Sequence, residues 1–216
     1  TAEVRAPIDR CLDCRGCETA CPSGVRYGEI IEGARAALEP ERTRSPFVRF
    51  MRRLGLGSIL LDRRALTRAI TGLRWYHALG GPRIVSALGF HLPAPLRRMA
   101  QMAPRPSERA FSSTASRVFP ALGTVRGRVG FFVGCVMDQT MAHVHEATVR
   151  ILTRRGFEVV VPKAQVCCGA LHVHNGDPSA ARLLARRNLE AFQGLDRVVL
   201  NSAGCGAQLR EYGELL

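Results

Sequence analysis

From Arg128 onward, short apolar runs alternate with stretches of helical period. Val129 to Val133 reads as a buried strand and Asp138 to Arg155 as a helix. Phe157 to Val161 reads as a second strand, followed by a helix that Asp177 caps and that runs to about Phe192. Arg197 to Leu200 is a third strand, and a last helix starts near Ala207. Strands alternating with helices predict βαβ units and a parallel, doubly wound α/β sheet. Nearer the start, Tyr27 to Leu38 has a helical pattern with Ile30, Ile31, Ala34 and Leu38 on one side, ended by Glu39-Pro40. Between these regions, Phe47, Phe50, Met51 and Leu54 fall at i, i+3, i+4 and i+7, with Arg49, Arg52 and Arg53 elsewhere on the wheel. Gly55, Gly57, Gly80-Gly81-Pro82 and Pro93 to Pro95 are expected to break that helical segment. Pro104, Pro106, Ser107, Ser112, Ser113, Thr114 and Ser116 mark a linker. Four regions follow: 1–40, an arginine-rich helical segment 41–102, a linker 103–127, and an α/β unit 128–216.

The apolar and charged fractions, 46% and 23%, are those of a globular chain and argue against disorder. The longest charge-free apolar candidate, Ile84 to Leu96, holds two prolines and falls short of the roughly 20 residues of a spanning helix. No basic segment leads into an apolar one as in a signal peptide. The chain starts with Thr1, as expected of a fragment. Its net charge of +13 is nearly all arginine. The arginines are scattered and aromatics are few, so nucleic acid is not expected; an acidic partner subunit or a membrane surface is.

The eight cysteines have the spacings of metal ligands and suggest a reducing, cytoplasmic compartment. Cys11-x2-Cys14-x2-Cys17-x3-Cys21-Pro22 matches the bacterial [4Fe–4S] run in every spacing. In that run three close thiolates wrap one cluster and the fourth serves another. Gly16 is expected to help the chain turn. Structural zinc sites use pairs separated by a longer loop, which this compact run lacks. No matching run lies downstream, so the ligand completing the Cys11, Cys14 and Cys17 set is expected before Thr1.

Cys135, the Cys167-Cys168-Gly169 triplet and Cys205 follow the three expected strands. That places four thiols at the carboxyl edge of one parallel sheet, where open α/β sheets carry ligands. Their sulfurs are expected to gather within roughly 4–8 Å, around an iron–sulfur group or zinc. Adjacent cysteines on an extended chain point apart, but Gly169 permits a tight turn. His172 and His174 are candidate ligands or proton carriers, or merely line the loop. His143 and His145 read as ordinary helix residues, and His77 and His91 as structural ones.

The segments Phe131-Phe132-Val133-Gly134-Cys135-Val136-Met137, Cys167-Cys168-Gly169-Ala170-Leu171-His172-Val173-His174 and Asn201-Ser202-Ala203-Gly204-Cys205-Gly206-Ala207 resemble the cysteine-rich CCG domain. That domain is shared by heterodisulfide reductase subunits, the anaerobic glycerol-3-phosphate dehydrogenase small subunit and the lactate and glycolate oxidases. Together with the run Cys11-Leu-Asp-Cys14-Arg-Gly-Cys17-Glu-Thr-Ala-Cys21-Pro, these segments make the chain resemble glycolate oxidase iron–sulfur subunits. The resemblance implies that residues 1–40 are the second half of a ferredoxin-type module with two [4Fe–4S] clusters in the full protein. It also implies that residues 128–216 are the first of two CCG halves. Ser202 departs from the pattern of many relatives, which have a cysteine there. The implied role is to take electrons from a flavin-containing oxidase subunit acting on a 2-hydroxy acid and pass them toward a quinone, within a hetero-oligomer that is cytoplasmic or peripheral on the inner face of the membrane. On that reading the chain has no substrate-oxidising site of its own. Alternatives are a heterodisulfide-reductase-like subunit, an iron–sulfur subunit of lactate or glycerol-3-phosphate oxidation, and a zinc-stabilised interaction module.

Overall fold

The structure, a computed structural model, describes residues 2–88, 94–114 and 117–216. His91, Pro93 and Ser116 lie outside the described residues. Helices α1 (Ala2–Arg10), α2 (Gly16–Ala20) and α3 (Tyr27–Leu38) form the N-terminal unit. The expected apolar side of α3 is only partly inward: Ile31 is buried, Ile30 exposed. Glu39 is the α3 C-cap, as the Glu39-Pro40 pair predicts.

Helix α4 (Pro46–Leu54) starts at Ser45, whose hydroxyl caps Val48 N–H. Gly55 and Gly57 do not break the helix. They widen it into a π-turn (Gly55–Ile59) that leads to α5 (Arg63–Ala78). Gly80 does end α5, in a left-handed conformation, before α6 (Gly81–Ala87) and α7 (Ala94–Met102). Among the described residues no helix is long and apolar enough to cross a membrane.

The stretch expected as a linker carries two elements. Helix α8 (Phe111–Thr114) puts Phe111 into the core, and β1 (Val118–Phe119) joins the sheet. The sheet continues with β2 (Gly127–Phe132), β3 (Phe157–Val160) and β4 (Val198–Leu200). Its order is β1-β3-β2-β4. The expected parallel pairing holds for β2 with β3 and β2 with β4, while β1 adds an antiparallel edge. The expected helix from Asp138 to Arg155 is split at Met141 into α9 (Val136–Thr140) and α10 (Ala142–Arg154). After α11 (Ala170–Val173), α12 (Pro178–Ala191) begins where Asp177 caps Ala180 N–H. The last helix starts earlier than expected, as α13 (Ala203–Arg210), because the Ser202 hydroxyl accepts from Cys205 N–H; α14 (Tyr212–Leu215) follows.

Alternation along β2 sorts two cores. Val129, Phe131 and Val133 pack with Val149 of α10 and with Phe111. Phe132 faces Leu184 of α12, Phe192 and the Cys167-Cys168 pair. Helices therefore cover both faces of the sheet. Strand β2 sits between β3 and β4, so the strand order reverses at its carboxyl end.

Candidate metal centres

At that reversal Gly134 turns the chain and Cys135 follows. The crevice outside a switch point is the ligand position of open α/β sheets. Cys135 Sγ lies 3.5 Å from Cys167 Sγ. Cys168 is within hydrogen-bonding reach of both Cys167 and Cys205, its one S–H serving either, so the four sulfurs run as one chain. Cys167 and Cys168 are both buried. The turn that lets them meet is at Gly169, φ +93°, where a Cβ would also lie 3.3 Å from Ala181.

Hydrogen bonding with Cys135 and Cys168, helped by Gly169 N–H and nearby His172, lowers the Cys167 pKa against the effect of burial. Cys205 falls to about 7, chiefly through the Cys168 thiol. Cys135 and Cys168, the donors, are pushed up by those same bonds and by burial. Soft thiolate donors at one buried edge suit zinc or an iron–sulfur group. Four thiolates on one tetrahedral zinc would stand about 3.8 Å apart, given Zn–S bonds of about 2.3 Å. Cys135 and Cys167, 3.5 Å apart, stand that close, while among the described residues no three cysteine sulfurs lie within 4.8 Å of one another.

Polar side chains that periodicity alone does not single out hold these loops. Gln165 accepts from Val133 N–H at 2.9 Å and donates to the Phe131 and Pro162 carbonyls. Asn188 accepts from Val166 N–H at 2.8 Å and donates to the Cys167 carbonyl and the Tyr212 hydroxyl. Tyr212 in turn donates to the Cys168 carbonyl at 2.9 Å. His145, expected to be ordinary, is fully buried between the Val133 carbonyl and Asn201, at 3.0 Å from each. Asn188 and His145 did leave a signal: each interrupts a buried stripe, Ala181-Leu184-Ala185 on α12 and Ala142-Val149 on α10.

The two candidate histidines differ. His172 is fully buried, its Nε2 donating to the Leu56 carbonyl of the π-turn at 3.0 Å; its Nδ1 is buried with no hydrogen-bond partner among the described residues. His174 is turned to the N-terminal unit. Its Nδ1 is 2.7 Å from the Asp13 carboxylate, and Glu32 leads the causes that raise its pKa. His77 lies edge-on to Tyr76.

In the N-terminal run, Cys11 and Cys21 are half-buried, and Cys14 and Cys17 exposed. The turn is not made at Gly16. Asp13 and Arg15, both at φ 55°, take the left-handed conformation. Such alternation points successive N–H groups into a concavity that suits an anion or an iron–sulfur group. Asp13 N–H lies 3.4 Å from Cys11 Sγ, and the N–H groups of Val25, Ser23 and Gly24 lower the Cys21 pKa. The donors thus fit a cluster that carries negative charge.

Ionic contacts tie this run to the sheet domain. Arg15 bridges Glu32 and Glu211. Arg35 donates to the carbonyls of Cys11 and His174. The Asp13 side chain is buried, with Arg35 and Arg15 at 3.6 and 3.7 Å from its carboxylate. Asp13, Glu32 and His174 put ligand atoms within 4.8 Å of one another, but the two guanidiniums already balance the carboxylates there. At Gly176, φ +73°, a Cβ would meet the Arg35 carbonyl at 2.7 Å, so glycine lets α3 close on the loop after His174.

Residues 129–210 match the family model described as "Cysteine-rich domain" (CCG). The chain is 35% identical, over 99% of its length and 49% of the relative's, to the probable glycolate oxidase iron–sulfur subunit of Bacillus subtilis. It is 30% identical, over 100% of its length and 49% of the relative's, to the glycolate oxidase iron–sulfur subunit of Escherichia coli. Against one of the subunits of the fumarate reductase (CoM/CoB) of Methanothermobacter marburgensis it is 43% identical, over 39% of this chain and 17% of that one. The chain thus spans about half the length of the first two relatives. No solved structure matches it. Residues 129–210 carry a CCG cysteine-rich domain, in a chain whose close homologues are glycolate oxidase iron–sulfur subunits.

Proposed function

We propose that this chain is the electron-transferring part of an iron–sulfur subunit in a glycolate-type oxidase complex. The observation that carries the reading is the meeting of Cys135, Cys167, Cys168 and Cys205 at the sheet's switch point. The ferredoxin run is held beside it by Arg35. Homology to iron–sulfur subunits over nearly the whole chain supports it.

Cys11, Cys14 and Cys17 are the ligands offered to one [4Fe–4S] cluster, with Cys21 directed to a second. The sheet-edge cysteines hold an iron–sulfur group, favoured over zinc by the likeness of the chain to iron–sulfur subunits. His172 Nδ1 is a further donor there, the one buried nitrogen near these thiols without a partner among the described residues. His174 serves the contact between the regions instead. The bound clusters supply one-electron storage and relay. The chain contributes thiolates, N–H donors to sulfur and a buried setting, the levers by which a protein tunes such groups. The electron source is a flavin-containing subunit and the sink a quinone or another carrier, in a cytoplasmic or membrane-peripheral hetero-oligomer.

The test is iron, acid-labile sulfide and zinc analysis of the anaerobically purified full-length protein, with electron paramagnetic resonance of the reduced sample. Separate signals lost on Cys17→Ala and on Cys168→Ala are the expected outcome. Stoichiometric zinc without sulfide would overturn the reading.

A further inference from the structure

A cavity of about 740 Å³ opens between the end of α3, α4 and the loop before α12. A second, of about 300 Å³, shares Glu39, Arg42, Arg44 and Arg52 with it and reaches Cys11 and Leu12. The two make one cleft that leads from the α4 surface to the ferredoxin run. Its walls hold more positive charge than the chain neutralises. Arg44 grips Glu39 with both nitrogens, and Arg52 reaches the same carboxylate at 3.0 Å. Arg42 stands 3.9 Å from that carboxylate and pairs with Asp9. Arg49 and Arg53 line the cleft with no ion pair among the described residues. Arg42 is held below ordinary basicity first by burial and then by the neighbouring Arg44, Arg52 and Arg5. Beside these charges the apolar stripe of α4 is uncovered: Phe47 is 71% and Phe50 61% exposed, and Phe50 lines the cavity.

We infer that this cleft is the docking site for an acidic, partly apolar segment of the subunit that exchanges electrons with the Cys11 site. The inference rests on the electron-transfer reading above, and it names the surface by which the partner approaches. Aspartate or glutamate side chains would neutralise Arg49 and Arg53, and an apolar side chain would cover Phe50. That pairing of a charged rim with an aromatic centre is the usual anatomy of a protein interface. Complementary charge would steer the encounter and set its register. A lipid surface fits less well. The arginines face a concavity, and Arg52 is turned inward to Glu39 and the Asn175 carbonyl rather than toward a plane. Leu12, 89% exposed at the inner end of the cleft, marks where a docked segment comes nearest the run.

The experiment uses the full-length protein with its flavin-containing partner subunit. The charge-reversed R49E/R53E is compared with the conservative R49K/R53K and with R186E, a reversal on exposed α12 outside the cleft. Partner affinity is measured across a salt series, with iron content and cluster spectra recorded for each sample. R49E/R53E is expected to weaken association at least tenfold at low salt and to flatten its salt dependence. R49K/R53K and R186E should stay within twofold of the parent, and all cluster spectra should be unchanged. Unaltered affinity and salt slope in an iron-loaded R49E/R53E would overturn the proposal. So would a defect confined to co-sedimentation with anionic vesicles, which would assign the cleft to a lipid surface. Parent protein without iron would defeat the electron-transfer reading instead, while the affinity series still judges the cleft.

Discussion

In the sheet domain, Cys167 and Cys168 are buried, and Gln165, Asn188 and Tyr212 hold the backbone around them. In the N-terminal run, Cys14 and Cys17 are exposed and the loop hangs on guanidinium contacts from Arg15 and Arg35. The first site is a consequence of the fold: the apolar cores that order β2 and α12 also fix the sulfurs. The second has little apolar packing of its own, since α2 buries none of its residues. A site of that second kind depends on what it binds, because binding free energy then becomes local folding free energy.

The largest expected effect breaks the comparison in one step. Anaerobic removal of iron should raise amide exchange across residues 11–21 at least tenfold and leave β2 and β3 protected. Exchange measured by mass spectrometry checks this. Equal loosening of both regions would mean that the sheet site is also shaped by its metal. Single substitutions should divide the same way. Cys17→Ala should remove one cluster signal with little change in thermal stability. Cys168→Ala should remove the other and also cost about 1–3 kcal/mol, because it empties a buried position.

A smaller effect compares the two kinds of support. Asn188 makes three hydrogen bonds, two of them buried, each with a net value of about 1 kcal/mol, and its loss removes the partner of the Cys167 carbonyl and of Val166 N–H. Asn188→Ala should therefore cost about 2–4 kcal/mol in denaturant unfolding of the iron-loaded protein. Arg35→Ala removes charged contacts that are partly open to solvent, and should cost no more than about 1–2 kcal/mol. Its distinctive readout is faster proteolysis between α1 and α3. A larger global effect from Arg35 than from Asn188 would invert the comparison.

The same contrast governs what the sequence could reveal. The strands were legible because Val129 to Val133 and Phe157 to Val161 are short apolar runs, and their placement put the four cysteines at one edge. The start of α13 was not, because Gly204 and Gly206 weaken the helical pattern and the signal lay in the Ser202 cap. The break at Met141 was hidden, since helical residues flank it on both sides. Serines and prolines from 103 to 127 suggested a linker, yet Phe111 and Phe119 find partners in the core that only the folded chain supplies. The apolar stripe of α4 was legible as a pattern, but periodicity does not say whether a stripe is covered, and here it is not. Left-handed Asp13 and Arg15 gave no signal, because neither is glycine.

The smallest expected effect is a pH dependence peculiar to the sheet domain. His145 Nε2 faces the Val133 carbonyl, which only accepts, so Nε2 carries the hydrogen. Nδ1 then accepts from the Asn201 amide, whose oxygen is engaged by the Thr148 hydroxyl, so the amide does not flip without loss. A proton on Nδ1 has no acceptor there. Burial, the first cause, lowers the His145 pKa, with the Val133 carbonyl and Asp138 opposing the effect and His143 adding to it. A folded pKa below the unfolded value of about 6.5 means that the unfolded chain binds the extra proton first. Stability is therefore full above about pH 6.5 and falls as the pH drops toward the folded pKa, by at most about 1.4 kcal/mol per pH unit for one proton. His174 works the other way, because its pKa is raised and its contribution is lost as pH rises. Whole-protein melting mixes the two, so the measurement is a difference. His145→Gln keeps a donor for Val133 and an acceptor for Asn201 without a titrating ring. The protection of β2 amides, exchange taken relative to its intrinsic rate at each pH, should fall between pH 7.5 and 5.5 in the parent and stay flat in His145→Gln. Parallel pH profiles for the two proteins would show that the buried imidazole is not what makes the sheet domain acid-sensitive.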